Sequence, residues 1–226
     1  MSNIVRLFQL QRFWMLLLLA AVWLVAGQGA WSLQFERETV ARRAEQQFGR
    51  EGGRRLDQWF SMLDRLADES DVRARLAGIN SFWNTSIREA EDMAVWRRDD
   101  YWATPLEALG RGRGDCEDFV IGKYFSLVHL GVPPEKLRLI YVRAQVDGRS
   151  VAHMVLGYYD QPDSEPLILD NLVHRIEPAS RRRDLTPVFS FNAHAVFVKG
   201  SQSAGVDRIT RWQDLLARMR QEGFTP

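Results

Sequence analysis

The stretch "LGRGRGDCEDFVIGKYFSL", Leu109 to Leu127, decides how this chain is read. It holds Cys116, the only cysteine, with Asp115 before it and Glu117 and Asp118 after it. The glycines at 110, 112 and 114 close a short helix, and a second helix beginning near Asp115 sets Val120, Ile121, Tyr124, Leu127 and Val128 on one face. A cysteine at a helix start meets unpaired N–H groups and the positive end of the macrodipole. Both favour the thiolate and offer donors to an oxyanion. The flanking carboxylates act the other way, because negative neighbours oppose ionisation of a thiol. Asp115 as N-cap and Asp118 in the first turn would stabilise the helix without any further role. A bound cation would in addition relieve the thiol, and three oxygen donors with no histidine among them suit Ca²⁺ better than zinc. The glycine spacing fits neither a dinucleotide fingerprint nor a Walker loop.

Outward from this stretch the pattern changes from helix to strand. Upstream, residues 36 to about 97 read as helices: Leu56, Trp59, Phe60, Leu63 and Leu66 form one apolar stripe, and Leu76, Ile79, Trp83 and Ile87 form another after a cap at Ser70 or Asp71. "TPLEAL", Thr104 to Leu109, has the N-cap threonine, the N1 proline and the Glu107 of a capping box. Downstream, "KLRLIYVRAQV" and "SVAHMVLGYY" are β-branched and aromatic runs joined at Asp147-Gly148, a two-residue hairpin signal. "PLILDNL" predicts a third strand, "PVFSFN" and "AVFVKG" one or two more, and "VDRITRWQDLLARMR" a closing helix. Helices first and an antiparallel sheet second make the fold class α+β.

A cysteine nucleophile needs a base and a group that orients the base. The histidines are His129, His153, His174 and His194. His129 lies on the cysteine's own helix, 13 residues on, about 20 Å away at 1.5 Å per residue, which excludes it. His153 falls opposite Val142 in the expected hairpin and reads either as a satisfied core histidine or as the base for Cys116. Asp170 ends the apolar run "LILD", where a carboxylate without a partner is costly to bury. On a strand beside His153 it would accept the second imidazole N–H and fix the tautomer; alternatively it is a turn residue capped by its own backbone.

The whole chain of 226 residues is enough for one sizeable domain or two small ones, and a single cysteine excludes an internal disulfide and multi-cysteine metal sites. A net charge of +1 points to no nucleic-acid partner, and Arg181-Arg182-Arg183 reads as solvated or ion-paired surface. Phe13 to Phe35 carries no charge, and Arg6 and Arg12 precede it. Residues 1–35 are therefore expected to be a signal peptide or N-terminal membrane anchor, with 36–226 exported, most simply to the periplasm.

Five motifs in order, "WATPLEALGRGRGDCEDFVIGKYFSL", "LRLIYVRA", "AHMVLGYY", "LILDNL" and "DLTPVFSFN", resemble the LapG-type bacterial transglutaminase-like cysteine proteases. Here 37 residues separate Cys116 from His153 and 17 separate His153 from Asp170, both of the family's size. The resemblance implies a papain-like, transglutaminase-like fold with Cys116 as nucleophile, His153 as base and Asp170 as orienting acid. It implies Ca²⁺ on Asp115, Glu117 and Asp118, and an oxyanion contact from the indole N–H of Trp102. It also implies cleavage of the N-terminal region of a large surface adhesin, which disperses biofilm, and sequestration by an inner-membrane receptor for cyclic di-guanylate. The same triad would serve a transglutaminase or amidase, and a calcium-responsive binding module with a dead triad is the non-enzymatic alternative.

Overall fold

The computed structural model describes residues 33–198 and 201–225 of the chain. The leader or anchor expected over residues 1–35 lies, as far as residue 32, outside the described residues. Leu33, Gln34 and Phe35, which the sequence alone assigns to that segment, pack with the domain: Leu33 is fully buried, and strand β1 (Gln34–Phe35) pairs antiparallel with β11 (Phe224–Thr225). No helix among the described residues is long and apolar enough to cross a membrane.

Helix α1 (Arg37–Ala67) breaks its geometry at Gly49, whose φ of 74° only glycine adopts at little cost, and continues with Leu56, Trp59, Phe60 and Leu63 buried. Helix α2 (Val72–Ser86) starts where expected: Asp71 is its N-cap and accepts the Arg73 N–H at 2.9 Å. A parallel pair, β2 (Arg88–Glu89) with β3 (Arg113–Gly114), brackets the short helices α3 (Asp92–Val95) and α4 (Pro105–Arg111). Helix α4 carries the full capping box between Thr104 and Glu107 and ends on the left-handed Gly112. Helix α5 (Cys116–His129) follows.

The sheet is antiparallel and seven-stranded, in the order β10-β9-β8-β4-β5-β6-β7. Its centre is the expected hairpin, β4 (Leu137–Val146) and β5 (Arg149–Tyr158), turning through Asp147 and Gly148, both at positive φ. The register sets Val142 opposite His153. On one side β6 (Leu167–Leu169) and β7 (Glu177–Pro178) extend the sheet; on the other lie β8 (Leu185–Phe191), β9 (Ala195–Val198) and β10 (Ser201–Gly205). Helix α6 (Thr210–Glu222) closes the core with Trp212, Leu215 and Met219. This is the α+β arrangement read from the sequence.

Helix α5 runs through the middle of the core, and Ser126 is its polar pivot. The indole N–H groups of Trp59 and Trp83 both donate to Ser126 Oγ, at 2.8 and 2.9 Å, and the hydroxyl donates to the Gly122 carbonyl at 2.7 Å. Gly122 leaves room for Trp83, since a Cβ there would fall 2.4 Å from the ring. Ser126→Ala would strand two buried donors, at about 1–3 kcal/mol each. Chemical denaturation is expected to register a loss of roughly 2–4 kcal/mol, and an unchanged midpoint would contradict this reading of the core.

Candidate active site

Cys116 is the first residue of α5, with Asp115 at the N-cap position. The Asp115 side chain makes no capping hydrogen bond, which corrects the simplest reading of that residue. Its neighbour Asp118 ties the helix start to the preceding segment instead: Asp118 Oδ1 accepts the Ala103 N–H at 2.7 Å, and the side chain packs against Gly114, where a Cβ would fall 2.4 Å from Oδ2. The Cys116 thiol is half-buried and donates to Glu117 Oε2 at 3.1 Å. Burial, then the charge of Glu117 and this hydrogen bond, then the charge of Asp115, push the thiol pKa well up; the Met154 backbone N–H works against them. That N–H belongs to the residue after His153, so the thiol lies against the histidine strand.

His153 is 5 % exposed and Asp170 fully buried. Asp170 follows β6, which pairs with β5, and His153 Nε2 lies 2.8 Å from Asp170 Oδ1. Asp170 Oδ1 also accepts the Leu172 N–H at 3.0 Å, so the turn reading and the partner reading of this carboxylate hold together. Its backbone carbonyl accepts from Asn84 Nδ2 of α2 at 2.7 Å. Burial opposes ionisation of Asp170, but the hydrogen bond and charge of His153, then the hydrogen bonds from Arg182 and the Leu172 N–H, outweigh it and bring the pKa down to about 2. Arg182 is the part sequence reasoning missed. It lies in the arginine run read as surface, yet it is 4 % exposed and its Nη2 donates to Asp170 Oδ2 at 2.7 Å.

Trp102 is buried close by, stacked on Phe191 with ring centroids 5.8 Å apart. Its indole N–H donates to Asp100 Oδ1 at 3.2 Å. Among the four histidines His129 is held at the other end of α5, its Nδ1 2.7 Å from the Leu33 carbonyl, as the distance argument requires.

The acids form a different set from the expected one. Carboxylate oxygens of Asp92, Asp115 and Glu117 lie within 4.8 Å of one another, and Asp118 stands outside this triangle. The β2–β3 pairing and the Ala90 N–H to Gly114 carbonyl hydrogen bond, 2.9 Å, bring Asp92 alongside the cysteine loop. Buried Asp92 Oδ1, Asp115 Oδ1 and Asp118 Oδ2 have no hydrogen-bond partner. Burial, followed by repulsion from Glu117 and other acids, raises the pKa of Asp92 to about 6 and that of Asp115 further. Burial likewise raises Asp118. Crowded, unpaired oxygen donors of this kind fit a hard divalent cation such as Ca²⁺.

Comparison with known proteins agrees with this picture. The family model described as bacterial transglutaminase-like cysteine proteinase matches residues 56–183, more than half of the 226-residue chain and inclusive of Cys116, His153 and Asp170. Among solved structures, Legionella pneumophila LapG superposes with a TM-score of 0.70 at 38 % identity, covering 81 % of this chain and 96 % of that one. The EGTA-treated form of that protein gives 0.72 at 37 % identity over 83 % and 100 % of the two chains. The calcium-bound form gives 0.70 at 38 % over 81 % and 99 %. No curated protein sequence matches the chain. The family match, these superpositions and the α+β fold agree, and the chain belongs to the bacterial transglutaminase-like cysteine proteinases of LapG type.

Proposed function

We propose that the protein is a periplasmic, calcium-dependent cysteine endopeptidase that cuts the N-terminal region of a large surface adhesin and so promotes biofilm dispersal. The observation that carries the reading is the buried His153–Asp170 pair, 2.8 Å apart, with His153 on β5 and Asp170 just after β6, where β5 meets the helix start that bears the chain's one cysteine. With Nε2 committed to Asp170, Nδ1 is the imidazole nitrogen for the thiol. His153 takes the Cys116 proton and Sγ attacks the scissile carbonyl. Backbone N–H groups at the start of α5 stabilise the oxyanion, and the imidazolium returns its proton to the leaving amine. Water, deprotonated by His153, then hydrolyses the thioester and frees Cys116.

Asp92, Asp115 and Glu117 would hold the calcium, with Asp118 bracing the loop beneath them. When bound, the cation supplies positive charge that offsets the carboxylates opposing the Cys116 thiolate. Calcium-bound and EGTA-treated forms of Legionella LapG support this part of the reading. Export to the periplasm rests on the uncharged run from Phe13 to Phe35 behind Arg6 and Arg12. The inhibitory partner would be the periplasmic domain of an inner-membrane receptor for cyclic di-guanylate, as the family resemblance implies.

The test is incubation of the calcium-loaded protein with the N-terminal region of the adhesin encoded nearest to it. Two fragments with a new N-terminus are the expected outcome. Incorporation of an added amine without chain cleavage would instead make the protein a transferase on the same residues.

A further inference from the structure

Three successive arginines, 181 to 183, look alike in the sequence and differ in the fold. Arg181 and Arg183 are exposed, whereas Arg182 is turned inward and 4 % exposed. A short 3₁₀ turn, Ala179–Arg181, aims it: the Arg182 N–H donates to the Ala179 carbonyl at 3.0 Å, and the Arg182 carbonyl accepts from Leu185 at 3.1 Å. Asp184 then pins the guanidinium, accepting Nε at 3.0 Å on Oδ1 and Nη2 at 2.7 Å on Oδ2. The same Nη2 reaches Asp170 Oδ2 at 2.7 Å.

Of the two Asp170 oxygens, Oδ1 is shared by His153 and Leu172, and Arg182 is the partner of Oδ2. Without Arg182 a fully buried carboxylate would keep one oxygen bare, a costly arrangement that rotation of the carboxylate would relieve at the expense of the His153 bond. Lys123 does not substitute for it. Its Nζ is buried without a hydrogen-bond partner, and burial pulls its pKa down to about 7 against the opposing pull of Asp170. A guanidinium keeps its charge throughout the working range and directs its donors along fixed lines.

We propose that Arg182 is a positioning residue for the reaction: by holding Asp170 Oδ2 it fixes the carboxylate, and through it the His153 ring, in the orientation the Cys116 thiol requires. This inference rests on the Cys116–His153–Asp170 reading above. Arg182 also lines a cavity of about 320 Å³ together with Val142, Val155 and Ile168, which gives a small cation a path to the place an alanine would vacate.

The experiment compares the full-length, calcium-loaded wild type with Arg182→Ala, Arg182→Lys, Asp184→Asn and Cys116→Ala on the adhesin segment. Arg182→Ala is expected to lose kcat by roughly 10–100-fold, the scale on which outer partners of an imidazole–carboxylate pair act, with KM near wild type. Added methylguanidinium is expected to restore part of that kcat, Arg182→Lys to lie between, and Asp184→Asn, which loosens the guanidinium without removing it, to lose less kcat than Arg182→Ala. If Arg182→Ala fails to fold, Arg182→Lys carries the test through the same selective loss of kcat. Wild-type kcat in the Arg182 variants that fold would overturn the inference. So would an equal loss in Asp184→Asn with no cation rescue, because the arginine would then be only a structural tie. Either result with an inactive Cys116→Ala leaves the nucleophile standing, whereas an active Cys116→Ala removes the reading underneath.

Discussion

Chelating calcium is expected to stop cleavage and to lower the melting temperature, with the stability loss larger at pH 8 than at pH 5. The cause is the acidic cluster at the head of α5. Asp92, Asp115 and Asp118 all have folded-state pKa values raised above those of an unfolded chain, Asp92 to about 6. A carboxyl group raised in this way contributes stability that is complete below its unfolded pKa and is lost as pH climbs through the folded value. The metal-free protein therefore weakens from about pH 4 upward as Asp92 and then its neighbours ionise against one another. Calcium prefers the ionised cluster and offsets that loss where it is greatest. At a free concentration about a hundredfold above Kd, binding adds about 2.7 kcal/mol, or roughly 5–10 °C for a chain of this size. Asp92→Asn, which keeps an oxygen acceptor for Tyr101 N–H while removing one charge, is expected to raise the calcium requirement roughly tenfold. Differential scanning fluorimetry across calcium and pH checks both statements. A calcium shift equal at the two pH values, or unaltered in Asp92→Asn, would count against the cluster.

The second large effect concerns the imidazole. His153→Ala is expected to reduce kcat by roughly 10⁴–10⁶-fold, since the base that takes the thiol proton and returns it to the leaving amine is lost. Asp170→Asn is expected to cost about 10⁴-fold, because an amide facing Nε2 no longer selects the tautomer that leaves Nδ1 as the base. The two variants separate on stability. Asp170 has its pKa depressed to about 2, so it contributes stability above the unfolded carboxyl value that is lost as pH falls toward 2. That contribution is roughly 2 kcal/mol at neutral pH. Urea titration is expected to find Asp170→Asn less stable than wild type at pH 7 and closer to it near pH 3. Equal stability at both values would mean that the pair with Arg182 and His153 does not hold the carboxylate in the way its geometry indicates.

What the sequence discloses here is local. The Thr104–Glu107 capping box, the Asp71 cap and the Asp147-Gly148 hairpin turn each depend on residues within four positions, and all three form as read. The hairpin register follows from its turn, and it sets His153 opposite Val142 without knowledge of the rest of the fold. The His153–Asp170 contact was legible one step further, because an acid ending an apolar strand needs a partner. Non-local placement was not legible. Asp92 joins the acids at Cys116 only because β2 and β3 pair in parallel, and nothing around Asp92 announces that. Arg182 differs from Arg181 and Arg183 only in the turn that aims it inward. The break at Gly49 in α1 likewise has no periodic signature, since the residues on either side are equally helical.

Whether Cys116 is the nucleophile of a calcium-dependent peptidase is decided by one comparison. Wild-type protein and Cys116→Ala, each loaded with calcium and each shown to be folded, are incubated with the adhesin N-terminal region, and the products are identified by intact mass. Two fragments are expected from the wild type, an uncut substrate with Cys116→Ala, and an uncut substrate with the wild type once calcium is chelated. Fragments at the same site from Cys116→Ala would contradict that role for Cys116.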